Sequence, residues 1–242
     1  MDFNISKCFL LSITLKKQPS DFTYILSGQT ITRTDSHPYL GINIDSKLSW
    51  RPHVNEVTAK ASRLLGLLQR TLGPCKRQVK ETAYRALVRP RLEYGAAAWN
   101  PHTNLHVDKL EKVQRSAARF VVGDHRRTSS VTTMLNNLGW QRLETRRLHL
   151  QMIMLYKIKY NMVKISLPPC ILPPTIITRR SNPHKFTQPH SRINAYQYSF
   201  YPRAVRAWNL LTLTTITAPD LTGFKASLCE QVLTAPAHLT RL

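Results

Sequence analysis

Residues 51–74 read RPHVNEVTAKASRLLGLLQRTLGP. Val54, Val57, Ala61, Leu64, Leu65, Leu68 and Leu72 recur at three- and four-residue spacing, which places them on one face of an α-helix. Pro52 suits a first helical turn, where its missing N–H is no loss, and Gly73-Pro74 stops the run. Downstream the pattern predicts a second helix from near 76, with Val79, Ala83 and Leu87 on one face and a kink or stop at Pro90. A third helix is expected over 104–122, burying Leu110, Val113, Ala117, Phe120 and Val121 and ended by Gly123. A short helix at 131–138, a break at Gly139-Trp140 and a long helix over 141–162 follow.

Upstream the period is two. Phe9, Leu11, Ile13 and Leu15 alternate with polar or smaller residues, as do Leu40, Ile42 and Ile44, and Ser27-Gly28 offers a hairpin turn between two β-prone runs. Three or four short strands fit before residue 45. Beyond Ile165 the prolines crowd together, four of them in 166–174, so an irregular segment is expected there, with short helices at 202–213 and 221–232. The resulting fold class is mostly α with a small N-terminal antiparallel β meander, divided as 1–48, 49–165 and a Pro-rich basic tail over 166–242.

Charge narrows the function. The 242 residues hold 35 Lys and Arg against 13 Asp and Glu, a net +22 that calls for a polyanionic partner. Between Glu144 and Asp220 stand eleven cations and no acid, among them Arg146, Arg147, Lys157, Arg179 and Arg180. Tyr156, Tyr160, Phe186, Tyr196, Tyr198, Phe200, Tyr201 and Trp208 are interleaved with them, a combination that binds phosphate backbones and stacks unpaired bases. A solvated tail is the competing reading. Lys60, Arg63 and Arg70 lie opposite the apolar face of the first helix, and Lys112, Arg115 and Arg119 opposite that of the third. Either stripe could track a backbone, although Glu56, Asp108 and Glu111, each four residues before a cation, could equally make ordinary surface ion pairs with Lys60, Lys112 and Arg115.

No apolar stretch approaches the ~20 residues of a bilayer-spanning helix, so no membrane partner is expected. The cysteines Cys8, Cys75, Cys170 and Cys229 are scattered without a C-x-x-C pair, and the start carries Asp2 where a signal peptide needs positive charge; together these suggest an intracellular protein, nuclear or cytoplasmic. His102 and His106 have helical metal-pair spacing but lack a following Glu, so no metal site is expected.

Several ordered motifs resemble those of non-LTR (LINE-type) retrotransposon reverse transcriptases. They are Asn4-Ile5-Ser6-Lys7-Cys8, Pro38-Tyr39-Leu40-Gly41-Ile42-Asn43-Ile44-Asp45 with Leu48-Ser49-Trp50 and His53, Pro90-Arg91-Leu92-Glu93-Tyr94-Gly95 with Trp99, Leu110-Glu111-Lys112-Val113-Gln114-Arg115 through Phe120, Leu138-Gly139-Trp140 with Leu143 and Arg146-Arg147, and Tyr201-Pro202-Arg203-Ala204-Val205-Arg206-Ala207-Trp208-Asn209. The resemblance implies the carboxy-terminal part of such an enzyme: the end of the palm with a primer-grip hairpin carrying Tyr39, Leu40 and Gly41, a helical thumb-like bundle, and a connecting region. It also implies a sequence-independent RNA, DNA or hybrid partner and the palm and fingers of the parent polymerase as a further one. Two-metal polymerisation needs clustered carboxylates, and no two acids are adjacent anywhere in this chain. The expectation is therefore no catalytic residue and no cofactor in this chain, Mg²⁺ being a need of the intact polymerase. Three functions stay open: a backbone-binding module, a part of an active RNA-directed DNA polymerase when joined to palm and fingers, and a decayed element without a role.

Overall fold

The computed structural model describes residues 4–14, 16–17, 22–171 and 183–234, with the side chains of 232–234 left aside. Its architecture is mostly helical behind a small β region. The strands are β1 (Phe9–Leu10), β2 (Ile25–Leu26), β3 (Gln29–Thr30), β4 (Thr32–Arg33), β5 (Ser36–Tyr39) and β6 (Ile42–Asp45). They form separate pairs rather than one continuous meander. β2–β3 and β5–β6 are antiparallel hairpins, while β1 lies parallel to β4 with Phe9 opposite Thr32. Two-residue strands are too short to build a sheet of their own, and among the described residues the four-residue β5–β6 hairpin packs onto a helix through β6.

That helix is α1 (Arg51–Thr71), with proline in its first turn and Leu72 closing it by donating to the Leu68 carbonyl at 2.8 Å. Asp45 sets its entry, because its buried carboxylate accepts from both the Ser49 amide (2.8 Å) and the Ser49 hydroxyl (2.7 Å). α1 packs along α4 (Asn104–Val122), and the expected stripe of Leu110, Val113, Ala117, Phe120 and Val121 is buried as predicted. Their core is closed by Leu92, Trp99, Met134, Leu135, Leu138 and Trp140.

The second helical segment departs from the periodicity. α2 (Arg77–Ala83) runs into a π turn over Tyr84–Val88 before α3 (Arg89–Glu93). Pro90 has no N–H for the usual bond and its ring excludes the carbonyl of the preceding turn, so the backbone widens and the Arg89 amide reaches back to Tyr84. The extra residue rotates the apolar face. Val79 and Leu87 are exposed, and Tyr84, Val88 and Leu92 are buried in their place.

After α5 (Val131–Asn137), whose N-terminus is capped by the Ser130 hydroxyl, comes α6 (Leu143–Lys159). α6 has no exposed polar stripe of the ordinary kind because it is covered on two sides. Its first turns face the core just described, and Met152, Leu155 and Tyr156 face a second one. That second core is completed by residues 171 and 186 and by α8 (Phe200–Asn209), α9 (Leu213–Ile216) and α10 (Leu221–Thr234), with the short α7 (Asn194–Gln197) leading into α8. Ala204, Val205, Trp208, Ile216 and Phe224 are wholly buried there. The region expected as an irregular tail thus supplies most of a packed core from 183 onward. The sequence predicts short helices at 202–213 and 221–232, where α8 and α10 stand; what it conceals is their packing on α6, which joins residues distant in sequence that no local period reveals.

Candidate nucleic-acid interface

The tip of the β5–β6 hairpin rests on the loop after α3. Tyr94 lays its ring against Gly41, where an added Cβ would lie 3.3 Å from the ring, and its hydroxyl donates to the Leu40 carbonyl at 3.2 Å. Gly95, at φ +65°, leaves room for Ile42, since a Cβ there would stand 2.8 Å from the Ile42 Cδ1. Both glycines also carry backbone angles that other residues adopt only with strain. Below the tip, the Asn43 amide donates to His53 Nδ1 at 3.1 Å, and the His53 ring stands edge-on to Trp99 at 4.4 Å. Burial lowers the His53 pKa, which favours the neutral ring that this accepted bond requires. The Trp99 indole N–H in turn donates to the Tyr94 carbonyl at 2.7 Å.

This joint leaves a cleft of about 280 Å³ lined by Leu40, Gly41, His53, Glu56, Lys60, Arg91 and Tyr94. Leu40, Gly41 and Lys60, three of the residues expected to meet nucleic acid, therefore share one concavity. Arg91 and Tyr94 join them, and no stripe or charge run pointed to either. Tyr39 stands beside the tip, largely exposed. Lys60 is paired with Glu56 at 2.6 Å, as the four-residue spacing suggested, and this contact holds the Glu56 carboxyl below its usual range.

Along the other side of α1 runs a groove of about 450 Å³ against α4, walled by Asn55, Thr58, Ser62, Gln69, Lys109 and Lys112 among others. Lys109 donates to the Asn55 side chain at 2.8 Å, whereas Lys112 is exposed and meets no carboxylate among the described residues. Asp108 leans to Arg115 (3.9 Å) rather than to Lys112, and Glu111 is buried, accepting from the Glu144 amide at 2.9 Å instead of pairing with Arg115. Arg63 and Arg70 are exposed on α1.

The remaining expected cations behave differently. Arg119, half-buried, donates to the loop carbonyls of Arg126 (2.7 Å) and Ser129 (3.3 Å). Arg146 forms a two-pronged ion pair with Glu93, which raises its already high pKa. Arg147 is wholly buried, donating from Nε to Asn100 at 3.1 Å, and burial pushes its pKa down to about 10. Arg147 is thus a core residue and not a surface contact, a correction that the charge run alone could not supply. Lys157 is half-buried, and Arg179 and Arg180 lie outside the described residues.

Many of the motif residues act as joints. Besides the Tyr94–Leu40 contact, Gln114 donates to the Gln141 carbonyl at 2.8 Å, Arg203 to the Asn100 carbonyl at 2.9 Å, and Trp208 to the His184 carbonyl at 3.0 Å. Among the described residues no group of three His, Cys, Asp or Glu side chains is placed to hold a metal ion, and no helix is long and apolar enough to cross a membrane.

No protein-family model and no solved structure matches the chain. Among curated proteins it is similar to a Drosophila melanogaster protein named "Probable RNA-directed DNA polymerase from transposon X-element", with 25% identity over 124 residues. The match covers 50% of this chain and 13% of that protein's length. Distant kinship with a transposon reverse transcriptase is what this likeness supports.

Proposed function

We propose that this chain is the carboxy-terminal part of a LINE-type reverse transcriptase, from the end of the palm through the thumb and connecting region, and that it grips the backbone of a template-primer duplex without reading its sequence. The observation that carries this reading is the hairpin joint, where the backbone of Leu40 and Gly41 is held by Tyr94 beside Lys60 and Arg91 in one cleft. The backbone turn at Leu40-Gly41, open at the glycine and set beside Lys60 and Arg91, suits a sugar-phosphate chain. Exposed Arg63, Arg70 and Lys112 extend the positive surface along α1 and α4. With no adjacent acids in the sequence, the chain by itself does not polymerise.

Neutralising about four phosphates gives a salt slope near −4, since each contributes roughly −0.9. Duplex affinity measured across rising salt tests this, and an affinity that does not change with salt rejects it. Primer extension with Mg²⁺ and a primed template should yield no product from the chain alone.

A second reading has its own support. Ile13, Phe22 and Ile25 of the β region are each more than half exposed, and apolar residues so placed favour a covering partner. Joined to palm and fingers, which would supply that cover, the chain would contribute to RNA-directed DNA polymerase activity.

A further inference from the structure

Another, roomier concavity lies away from the hairpin, between α4, the π turn and the α5–α6 junction. It measures about 1010 Å³, the upper end of the size that encloses a small ligand. Arg89, Arg115, Arg142 and Arg146 line it, against one lining carboxylate, Glu111, which is already engaged by the α6 backbone. Three of the arginines have partners: Arg146 on Glu93, Arg142 on Glu144 at 3.2 Å, and Arg115 on Asp108 at a loose 3.9 Å. Arg89 has no carboxylate partner among the described residues, and both its burial and the positive Arg146 beside it lower its pKa. An incoming anion would relieve that repulsion.

Two further observations point to a ligand. Tyr84 and Gln114 line the cleft and are 0% and 2% exposed, yet the Tyr84 hydroxyl and the Gln114 Oε1 have no hydrogen-bond partner. Unpaired buried polar atoms carry an uncompensated desolvation cost, so they favour a site where a ligand completes them. The tyrosine hydroxyl can donate to a phosphate oxygen, and the glutamine oxygen can accept from a sugar hydroxyl or a base amine. Trp140, stacked on the Tyr84 ring at 4.4 Å and 18°, lines the same cleft.

We propose that this cleft binds a phosphate-bearing ligand of nucleotide size, its phosphates held by Arg89 and Arg142 and its remainder set against Tyr84 and Gln114. The site goes beyond the duplex grip, which rests on a different face. Guanidinium groups suit this chemistry because they present paired N–H donors to phosphate oxygens. The phosphates could belong to a free nucleotide or to the end of a polynucleotide.

Cys229 lines the same cleft while Cys170 is exposed elsewhere, so thiol alkylation supplies a local readout. The full chain is treated with iodoacetamide in the presence of inorganic pyrophosphate, a deoxynucleoside triphosphate or a short duplex, and each thiol is followed by peptide mass mapping. Saturable slowing at Cys229, but not at Cys170, is expected. Slowing by the small anions identifies a free nucleotide, and slowing by the duplex alone identifies a polynucleotide end; either supports the site. Arg89→Gln should weaken the productive probe about tenfold, the loss of one charge-assisted hydrogen bond, whereas Arg127→Gln on an exposed loop should leave it unchanged. Arg142→Gln repeats the test should Arg89→Gln not fold. No slowing at Cys229 by any probe, or equal weakening by Arg89→Gln and Arg127→Gln, overturns the proposal. Salt-dependent duplex binding is measured separately, so the two readings fail independently.

Discussion

Gly95 and Ile42 meet so closely that a single added carbon at residue 95 would lie 2.8 Å from the Ile42 Cδ1. Gly95→Ala should cost about 1–2 kcal/mol, from this crowding and from a left-handed backbone angle. Thermal unfolding should show a drop of several degrees in Tm. Shortening the neighbour with Ile42→Val in the Gly95→Ala background should recover part of the loss, because it removes the clashing carbon but not the backbone strain. Strict additivity of the two changes would show that the contact does not matter.

Asn100 is the hub of the buried polar layer. Its side chain accepts from Arg147 at 3.1 Å and donates to Gln151 at 3.2 Å, while its carbonyl accepts from Arg203 at 2.9 Å. Asn100→Ala should destabilise by about 2–4 kcal/mol in chemical denaturation, since it strands a buried cation. Arg147→Met, which removes the cation and keeps the volume, should cost less. It should also leave duplex affinity unchanged, because Arg147 reaches no surface.

Acid should loosen the fold through His149. Burial, helped by nearby Arg146, holds its pKa down at about 4 against an ordinary 6.5. The folded-state pKa is the lower one, so the unfolded chain takes up the proton first, and stability falls as pH drops from about 6.5 towards 4. The full effect is roughly 3 kcal/mol. His53, His102 and His106 shift in the same direction. Denaturant midpoints at pH 7.5 and 4.5 should therefore differ less in His149→Gln than in the unaltered chain.

Lys159 secures the segment that leads into α7 and α8. Its ammonium lies 4.9–5.5 Å from the centres of the Trp208, Phe186 and Tyr160 rings and donates to the His184 carbonyl at 3.2 Å. Lys159→Met keeps the aliphatic stem and removes the cation, at a cost of about 1–2 kcal/mol. Limited proteolysis should then cut faster near residues 184–186. An unchanged cleavage rate would mean that the ring packing alone holds the segment.

Much of the helical plan was legible because α1 and α4 each bury one face, so Val54 to Leu68 and Leu110 to Val121 repeat with helical spacing. Two features were hidden for physical reasons. The π turn at Tyr84–Val88 inserts a residue into the period, so Leu87 falls off the face on which Tyr84, Val88 and Leu92 are buried, while Val79, upstream of the turn in α2, is exposed. Periodicity fails again in α6, which is buried on both sides and mixes Arg147, His149 and Gln151 with apolar residues. For the site, Leu40, Gly41 and Lys60 were visible as residue types, yet their meeting with Arg91 and Tyr94 depends on a contact across more than fifty residues. Charge counting found the positive surface but could not separate Lys112, which is exposed, from Arg147, which is enclosed.

Because α6 belongs to both hydrophobic clusters, it works as a beam loaded from opposite sides. Cutting the polypeptide after residue 165 would bare Met152, Leu155 and Tyr156 on the second half of the helix, so each portion should lose stability when made alone. A single melting transition spanning all four tryptophans is the behaviour such a shared girder imposes on the molecule.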